Sequence, residues 1–537
     1  MKKYLYLSTL TLFVSLNGCD SGEPVEQNYT VPSWTLYQRA LQSGQSAVEA
    51  NTLLVPKDYP YNINATVNGD PATQMGIAWF TNANVTGGVV QIIEGERYDN
   101  SLFANAREIP AVSSVVDSVN YISIGRDDRN NNQALIEATG FASGEKRSYK
   151  SNKALIDNLK PNTTYSYRVG KKGAWSGIGT FTTAKDSKDV FEFIYVTDTQ
   201  ANTDEMFDIS QKTIEAAYQQ VPDAKFLLIT GDLVESSGTQ SSEWEWEQWF
   251  EKMQNVCLKL PVAPAQGNHD SSPFGNMFHH FNTDDSYNDM QTFEESKTTM
   301  GGTVYAFVYG DALFMVINYE DYGKGEPYFA TLERWMRKQV SNHQDIKWKI
   351  VAFHKNMFTG SSGHQSDADG RLVRERMAPV FQDMGIDLVL QGHDHVYEVI
   401  GVLAAQKTQT GISYAHLPEA AGGQQSVEPT FADGTVTSAS VTGKEGGTYN
   451  VSDGVLYFLN NSAGKKKYYP RSKEQMEETF PQHGVKGYFA LFNKFGQTGE
   501  PTFSRIKVST DTIEIATYTV DDVGKTSLFD SFQIVRD

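Results

Sequence analysis

Two folded units in series are predicted from three observations. The chain has 537 residues, more than one ordinary domain of roughly 100–200 residues. Up to about residue 185 its pattern is one of short alternating strands with turn residues between them. Beyond Asp186 apolar strands alternate with amphipathic helical stretches. The expected architecture is therefore a β-sandwich over 51–185 followed by an α/β layered domain over 186–537.

The chain opens with Lys2 and Lys3 and an apolar run from Tyr4 to Leu16. That run falls short of the ~20 apolar residues a spanning helix needs and matches a signal peptide over 1–18. Leu16, Asn17, Gly18 and Cys19 resemble a bacterial lipobox, which makes Cys19 the expected lipidation site and mature N-terminus. The localisation that follows is the bacterial cell envelope, on its periplasmic or surface face, with the N-terminal lipid as the only membrane contact. Residues 19–50 carry Gly22, Pro24 and Gly44 without periodicity and read as a tether. With Cys19 acylated, Cys257 is the one cysteine left, so no disulfide is expected, and its place in the apolar stretch Val256 to Leu260 marks it as a core thiol.

Composition narrows the function classes. Apolar residues at 39% and charged residues at 21% are those of a globular protein. A net charge of -19 excludes nucleic acid as a stable partner, since such binding rests on Lys and Arg neutralising phosphates. An acidic protein that handles a phosphate ester needs local positive charge at its site, which metal ions can supply.

Within the first unit Met75, Ile77 and Trp79 alternate, as do Tyr165, Tyr167 and Val169, with Lys160, Pro161 and Asn162 as a turn signal. Arg97 to Asn132 is polar and longer than a loop and reads as an insertion or extra strands. In the second unit Ser242 and Glu245 fit a capping box, after which Trp246, Trp249, Phe250 and Met253 share one helical face, a core pattern. Residues 402–453 are rich in Gly, Ser and Thr with little periodicity and read as an irregular surface excursion.

Five apolar segments of the second unit end in candidate metal ligands. Phe193 to Thr197 leads to Asp198; Phe226 to Thr230 to Gly231 and Asp232; Leu260 to Gln266 to Gly267, Asn268, His269 and Asp270; Trp348 to Phe353 to His354; Ile386 to Gln391 to Gly392, His393, Asp394 and His395. In α/β sheets ligands bind beyond the carboxyl ends of strands, so these segments can converge on one crevice. Imidazoles and carboxylates suit first-row metals, and a carboxylate with two oxygens can bridge a pair, a role that suits Asp232. The glycines at 231, 267 and 392 are expected to let the backbone turn sharply. Asp270 and Asp394 are expected to hydrogen-bond neighbouring backbone or histidines, and His279, His280, His343, His416 and His483 to be structural.

The ordered set Asp198, GD, GNHD, His354 and GHDH resembles the calcineurin-like metallophosphoesterases, in particular their purple acid phosphatase branch. Leu155 to Thr183, LIDNLKPNTTYSYRVGKKGAWSGIGTFTT, looks like the last strands of the fibronectin type III-like domain that precedes the catalytic domain there, and GGTVYAFVYGDALFMVINYE and the terminal DSFQIV extend the likeness. The resemblance implies a four-layer α/β domain of two packed mixed sheets flanked by helices. It implies two metal ions (Fe, Mn, Zn or Mg), one held by Asp198, Asp232 and His395 and the other by Asp232, Asn268, His354 and His393. A hydroxide between the ions would attack phosphorus in line, His269 would assist the leaving group, and His364 would touch the phosphate. The chain departs from its relatives twice: Glu235 in GDLVE stands where purple acid phosphatases have a metal-bound tyrosine, and Gln200 stands where the wider superfamily has the histidine of DxH. Both are candidate ligands. The expected activity is that of an acid phosphatase-like phosphomonoesterase. A phosphodiesterase or nucleotidase would use the same metal pair, and an inactive binding lipoprotein, with the sandwich as its working part, is argued against by intact Asn268 and His269.

Overall fold

The computed structural model describes residues 58–121, 146–235, 243–270, 276–287, 302–408 and 446–537, apart from Tyr98, Ser366, Lys473 and 477–490, together with short strands between 411 and 442. The signal peptide, Cys19, the tether, Ser242 and His483 lie outside the described residues.

The first unit is two antiparallel sheets closed on one core. One contains Tyr61–Thr66, Met75–Asn82, Lys146–Ile156 and Val112–Asn120; the other contains Arg107–Pro110, Val89–Glu94 and Thr164–Lys171, the last paired with both Ala174–Trp175 and Gly179–Thr182. Strand alternation sends Met75, Ile77 and Trp79 into that core, where they meet Val90, Ile92, Tyr167, Val169 and Phe181. The polar segment after Arg97 supplies the extra strands Arg107–Pro110 and Val112–Asn120.

This unit does not simply precede the second. Tyr61–Thr66 lies parallel beside Val262–Ala265, with Thr66 opposite Val262, so the two units share one sheet of eleven strands. The junction is sealed by polar groups that satisfy otherwise open backbone: Gln254 accepts from the Ile63 amide (3.1 Å) and donates to the Ile63 carbonyl (2.7 Å), and Asn64 Nδ2 donates to the His280 carbonyl (2.9 Å).

In the second unit Phe191–Val196, Leu227–Thr230 and Val262–Ala265 run parallel in this shared sheet, flanked by the antiparallel strands Thr502–Val508, Thr512–Val520 and Thr526–Val535. A second mixed sheet holds Ala312–Val316, Trp348–Ala352, Leu388–Gln391 and Val455–Asn460 in parallel, with Tyr305–Tyr309, Tyr397–Thr408 and Phe492–Gln497 antiparallel at its sides. Strands buried on both faces need continuous apolar runs, and these are such runs. Phe193, Phe226 and Leu228 of one sheet meet Phe314, Ile350 and Phe458 of the other in the central core. Helices Asp204–Gln220 and Glu243–Cys257 pack on the outside of the first sheet, and Glu326–Asn342 and Ala368–Met384 on the outside of the second, completing four layers. Thr203 caps the first of these helices by accepting from the Met206 amide at 3.3 Å.

Trp246, Trp249, Phe250 and Met253 are buried in the core, as their spacing predicts. The Ser242 partner of the expected capping box lies outside the described residues; the Glu245 carboxylate accepts from the Glu235 amide at 2.9 Å. Cys257 is buried and burial pushes its thiol up to about 12, so it is inert at neutral pH. His280 is sandwiched between Phe80 (4.3 Å) and Trp246 (4.7 Å), a packing role. Within the stretch 402–453, expected to be an irregular excursion, the described residues include paired strands. Tyr397–Thr408 and Gly411–His416 form a hairpin, Ser440–Thr442 pairs with Phe492–Gln497, and Thr448–Asn450 pairs with Thr526–Val535. Thr and Ser tracts lacking an apolar rhythm still join a ladder when backbone pairing and β-branching favour it.

Gln254→Leu should lower stability by about 1–3 kcal/mol, because it leaves the buried Ile63 amide and carbonyl unmatched, while leaving catalytic turnover intact. Urea unfolding followed by fluorescence reads the first and steady-state kinetics the second.

Candidate metal centre

Each candidate ligand stands just beyond the carboxyl end of a parallel strand, three loops coming from one sheet and two from the other. The loops are tight. Asp198, Asp232 and His393 adopt φ of +53°, +51° and +75°, conformations that cost a non-glycine residue roughly 1–3 kcal/mol and persist only where the surroundings over-determine them. Of the three glycines expected to turn the chain, Gly231 alone needs its positive φ of +89°. The other two provide room: a Cβ on Gly267 would sit 2.2 Å from Asp232 Oδ1, and one on Gly392 would sit 2.3 Å from Thr197 Oγ1 and 2.6 Å from the Thr230 carbonyl.

His354 organises one half of the site. Its Nδ1–H donates to the Thr230 carbonyl at 2.7 Å, which ties the two sheets together and leaves the lone pair on Nε2. That Nε2 lies 3.1 Å from Asp232 Oδ2, 3.1 Å from Asn268 Oδ1 and 3.2 Å from His393 Nδ1. The ligating atoms of Asp232, His354 and His393 fall within 4.8 Å of one another, all in buried residues. Electron-rich atoms so placed repel unless a positive charge stands among them. The electrostatics agree: burial opposes protonation of His354, yet the carboxylates of Asp232, Asp198 and Glu320 push it up to about 10. A proton on one imidazole is a partial answer to that demand, and a divalent ion is a fuller one.

Asp198 and His395 form the other half. Asp198 Oδ2 accepts from Thr197 Oγ1 (2.7 Å) and the His393 amide (3.1 Å), while Oδ1 lies 3.3 Å from His395 Nε2. Asp198 Oδ1 is fully buried and has no hydrogen-bond donor among the described residues. Asp232 belongs with His354, its Oδ1 accepting from the His269 amide at 2.9 Å and its Oδ2 facing His354. The donor sets of the two halves each fit a metal ion. Gln200 and Glu235 are buried beside this half, with Gln200 Nε2 donating to Glu235 Oε2 at 3.1 Å.

His269 is not among the clustered ligands. Its Nδ1 is bonded to the Glu235 carbonyl, and its side chain keeps 26% exposure. Burial opposes its charge, but the Asp232 and Glu235 carboxylates outweigh burial and hold the imidazole above its ordinary value. His364 Nδ1 meets Asp367 Oδ2 at 2.7 Å while its ring stacks on His393 at 3.8 Å, which puts it at the rim of the same site. Asp270 accepts from the amides of Leu233 (2.9 Å), Val234 (3.3 Å) and Gly267 (2.9 Å), lashing two of the ligand loops together. Asp394 accepts from Asn356 Nδ2 at 2.7 Å, a side-chain partner in place of the backbone or histidine expected.

Sequence reasoning missed a sixth loop, Ser462 to Tyr469. Ser462 Oγ donates to the Asp198 carbonyl (2.7 Å), the Ala463 amide to the Thr197 carbonyl (2.9 Å), Lys466 Nζ pairs with Glu235 Oε1, and the Tyr468 ring lies flat on His395 at 4.5 Å. This loop follows the apolar run Val455–Asn460, a parallel strand of the second sheet, so the strand-end rule that found the other five applies to it as well.

Comparison with known proteins agrees with this geometry. Residues 60–183 match the model of the purple acid phosphatase N-terminal domain, and residues 191–397 that of the calcineurin-like phosphoesterases. Probable purple acid phosphatase 20 of Arabidopsis thaliana is 26% identical over 255 residues, 47% of this chain and 56% of the relative. An uncharacterised protein of Mycobacterium tuberculosis is 24% identical over 308 residues, 48% of this chain and 55% of the relative. The chain thus spans about half the length of these curated relatives. Among solved structures, the purple acid phosphatase PPD1 of yellow lupin superposes with a TM-score of 0.58 at 13% identity, covering 89% of this chain and 75% of its own. PhoD superposes with a TM-score of 0.51 at 11% identity, covering 89% and 91%. The protein joins a purple acid phosphatase N-terminal domain to a calcineurin-like phosphoesterase domain.

Proposed function

We propose that this protein is a metal-dependent phosphoric ester hydrolase that acts on phosphomonoesters. The calcineurin-like phosphoesterase domain and the purple acid phosphatase relatives support a metal-dependent phosphatase. The single observation that carries the reading is the convergence of Asp232, His354 and His393 beside His269, a histidine outside the ligand cluster and poised to handle a proton.

In this reading Asp198, Asp232 and His395 would hold one ion, and Asp232, Asn268, His354 and His393 would hold the other. When bound, the ions supply a nucleophile ionised near neutral pH and neutralise charge on the phosphoryl oxygens. The remaining work falls to the chain's own groups. Thr230 fixes the His354 tautomer through its carbonyl, so that Nε2 is the coordinating nitrogen. The Glu235 carbonyl fixes His269 in the same way, which leaves Nε2 as the nitrogen that gives a proton to the departing alkoxide. Asp367 holds His364 at the rim, where its imidazole meets a phosphoryl oxygen. Buried loops on both sheets exclude water from the ligand atoms, which strengthens every charge interaction among them.

His269→Ala should keep its metal while losing about 10²- to 10⁴-fold in turnover on esters with poor leaving groups, and much less on activated esters. Metal analysis together with kinetics on both kinds of ester checks this, and equal losses on both would remove the proton-donor role. A chromogenic bis-ester in the same assay separates phosphomonoesterase from phosphodiesterase action. We further propose anchoring at the cell envelope through Cys19, motivated by the lipobox pattern. Cys19→Ser should take up no fatty-acid tracer, and label on the serine variant would contradict the anchor.

A further inference from the structure

The two departures from the family pattern, Gln200 and Glu235, meet in the structure. Glu235 is 4% exposed and both of its carboxylate oxygens are spoken for: Oε1 by Lys466 Nζ, Oε2 by Gln200 Nε2. Its backbone is committed too, the amide to Glu245 and the carbonyl to His269. A carboxylate paired with an ammonium has little charge left to offer a metal, and moving it would strand Lys466 and Gln200 together.

Gln200 is in the opposite state. It is 2% exposed, and with Nε2 donated to Glu235 its carbonyl oxygen Oε1 is buried with no hydrogen-bond donor among the described residues. Asp198 Oδ1, two residues earlier, is buried and without a donor among them as well. An unmatched buried carbonyl is costly, and a coordinated cation removes that cost. An amide can turn either end toward a metal, but only the oxygen coordinates, so the partner of the nitrogen decides whether glutamine works as a ligand.

We propose that Gln200, through Oε1, completes the ion site of Asp198, Asp232 and His395, and that Glu235 is a positioning residue, held by Lys466, which takes the Gln200 amide nitrogen and so directs the oxygen to the metal. Lys466 thereby keeps Glu235 out of the coordination sphere. An ion there has three carboxylate or amide oxygen donors and one imidazole, a set that suits hard ions such as manganese, magnesium or ferric iron. The proposal rests on the metal-dependent hydrolase reading, and its test separates the two.

Metal content per chain is measured after graded chelation for the full-length protein and for Gln200→Leu, Gln200→His, Glu235→Gln combined with Lys466→Met, and Lys466→Met alone, with thermal melting as a check on folding. Wild type should hold two ions. Gln200→Leu should lose one at chelator concentrations that spare both in wild type, and Gln200→His, which restores a donor, should keep two. Glu235→Gln, made together with Lys466→Met so that its single amide oxygen has no ammonium to serve, should also keep two, because that oxygen still accepts from Gln200, and Lys466→Met alone should keep two because Glu235 still accepts from Gln200. Retention of both ions by Gln200→Leu, or loss of one by either of the last two variants, overturns the assignment. If Gln200→Leu melts early and loses both ions, Gln200→His decides: two ions sustain the proposal and one ion ends it. A wild type that binds no metal defeats the hydrolase reading itself.

Discussion

Burying a carboxylate away from water costs several kcal/mol unless positive charge comes to meet it, and this fold buries two, Asp198 and Asp232, within a cluster of imidazole nitrogens. The arrangement around them follows from that constraint. Short loops at strand ends bring the donors together, three of them at the cost of a left-handed backbone. Neighbouring glycines are stripped to hydrogen so that loops from different strands can touch. Outer groups such as the Thr230 carbonyl and the Asp270 carboxylate hold each donor in one orientation. A cation at the centre would turn a set of mutually repelling atoms into mutually satisfied ones.

The first unit is tied to the same centre through one helix. Glu243–Cys257 touches the site by Glu245, which holds the Glu235 amide, and touches the first unit by Gln254, which holds both backbone groups of Ile63. The loop that fixes His269 and the edge where the two units share a sheet are thus braced by residues on the same helix, nine positions apart in sequence. The shared sheet gives the His269 loop a rigid neighbour, since Val262–Ala265 lies between Leu227–Thr230 on one side and Tyr61–Thr66 on the other.

The candidate site was legible in the sequence because strand-end residues leave a local trace: an apolar run, in three of the five segments followed by glycine, then a carboxylate, amide or imidazole. Asp198, Asp232, Asn268, His269, His354, His393 and His395 were picked out that way, and the aromatic face of Trp246 and Trp249 by its helical spacing. Long-range partners leave no such trace. Lys466 pairs with Glu235 across 231 positions, and nothing in the lysine run around it names the partner. Tyr61–Thr66 carries the alternation of a sandwich strand, yet whether its edge faces solvent or Val262–Ala265 depends on topology that periodicity does not encode. In the 402–453 stretch Gly, Ser and Thr obscure the strands that its described residues form through backbone pairing.

The bridging role proposed for Asp232 is tested most directly by electron paramagnetic resonance of the protein loaded with manganese(II). A carboxylate shared by two ions couples their spins. The spectrum at saturation should be that of an exchange-coupled pair, and it should collapse to the six-line signal of isolated ions, or to free metal, in Asp232→Asn. Isolated-ion signals from the fully loaded wild type, or an unchanged coupled pair in the variant, would contradict the shared-carboxylate centre.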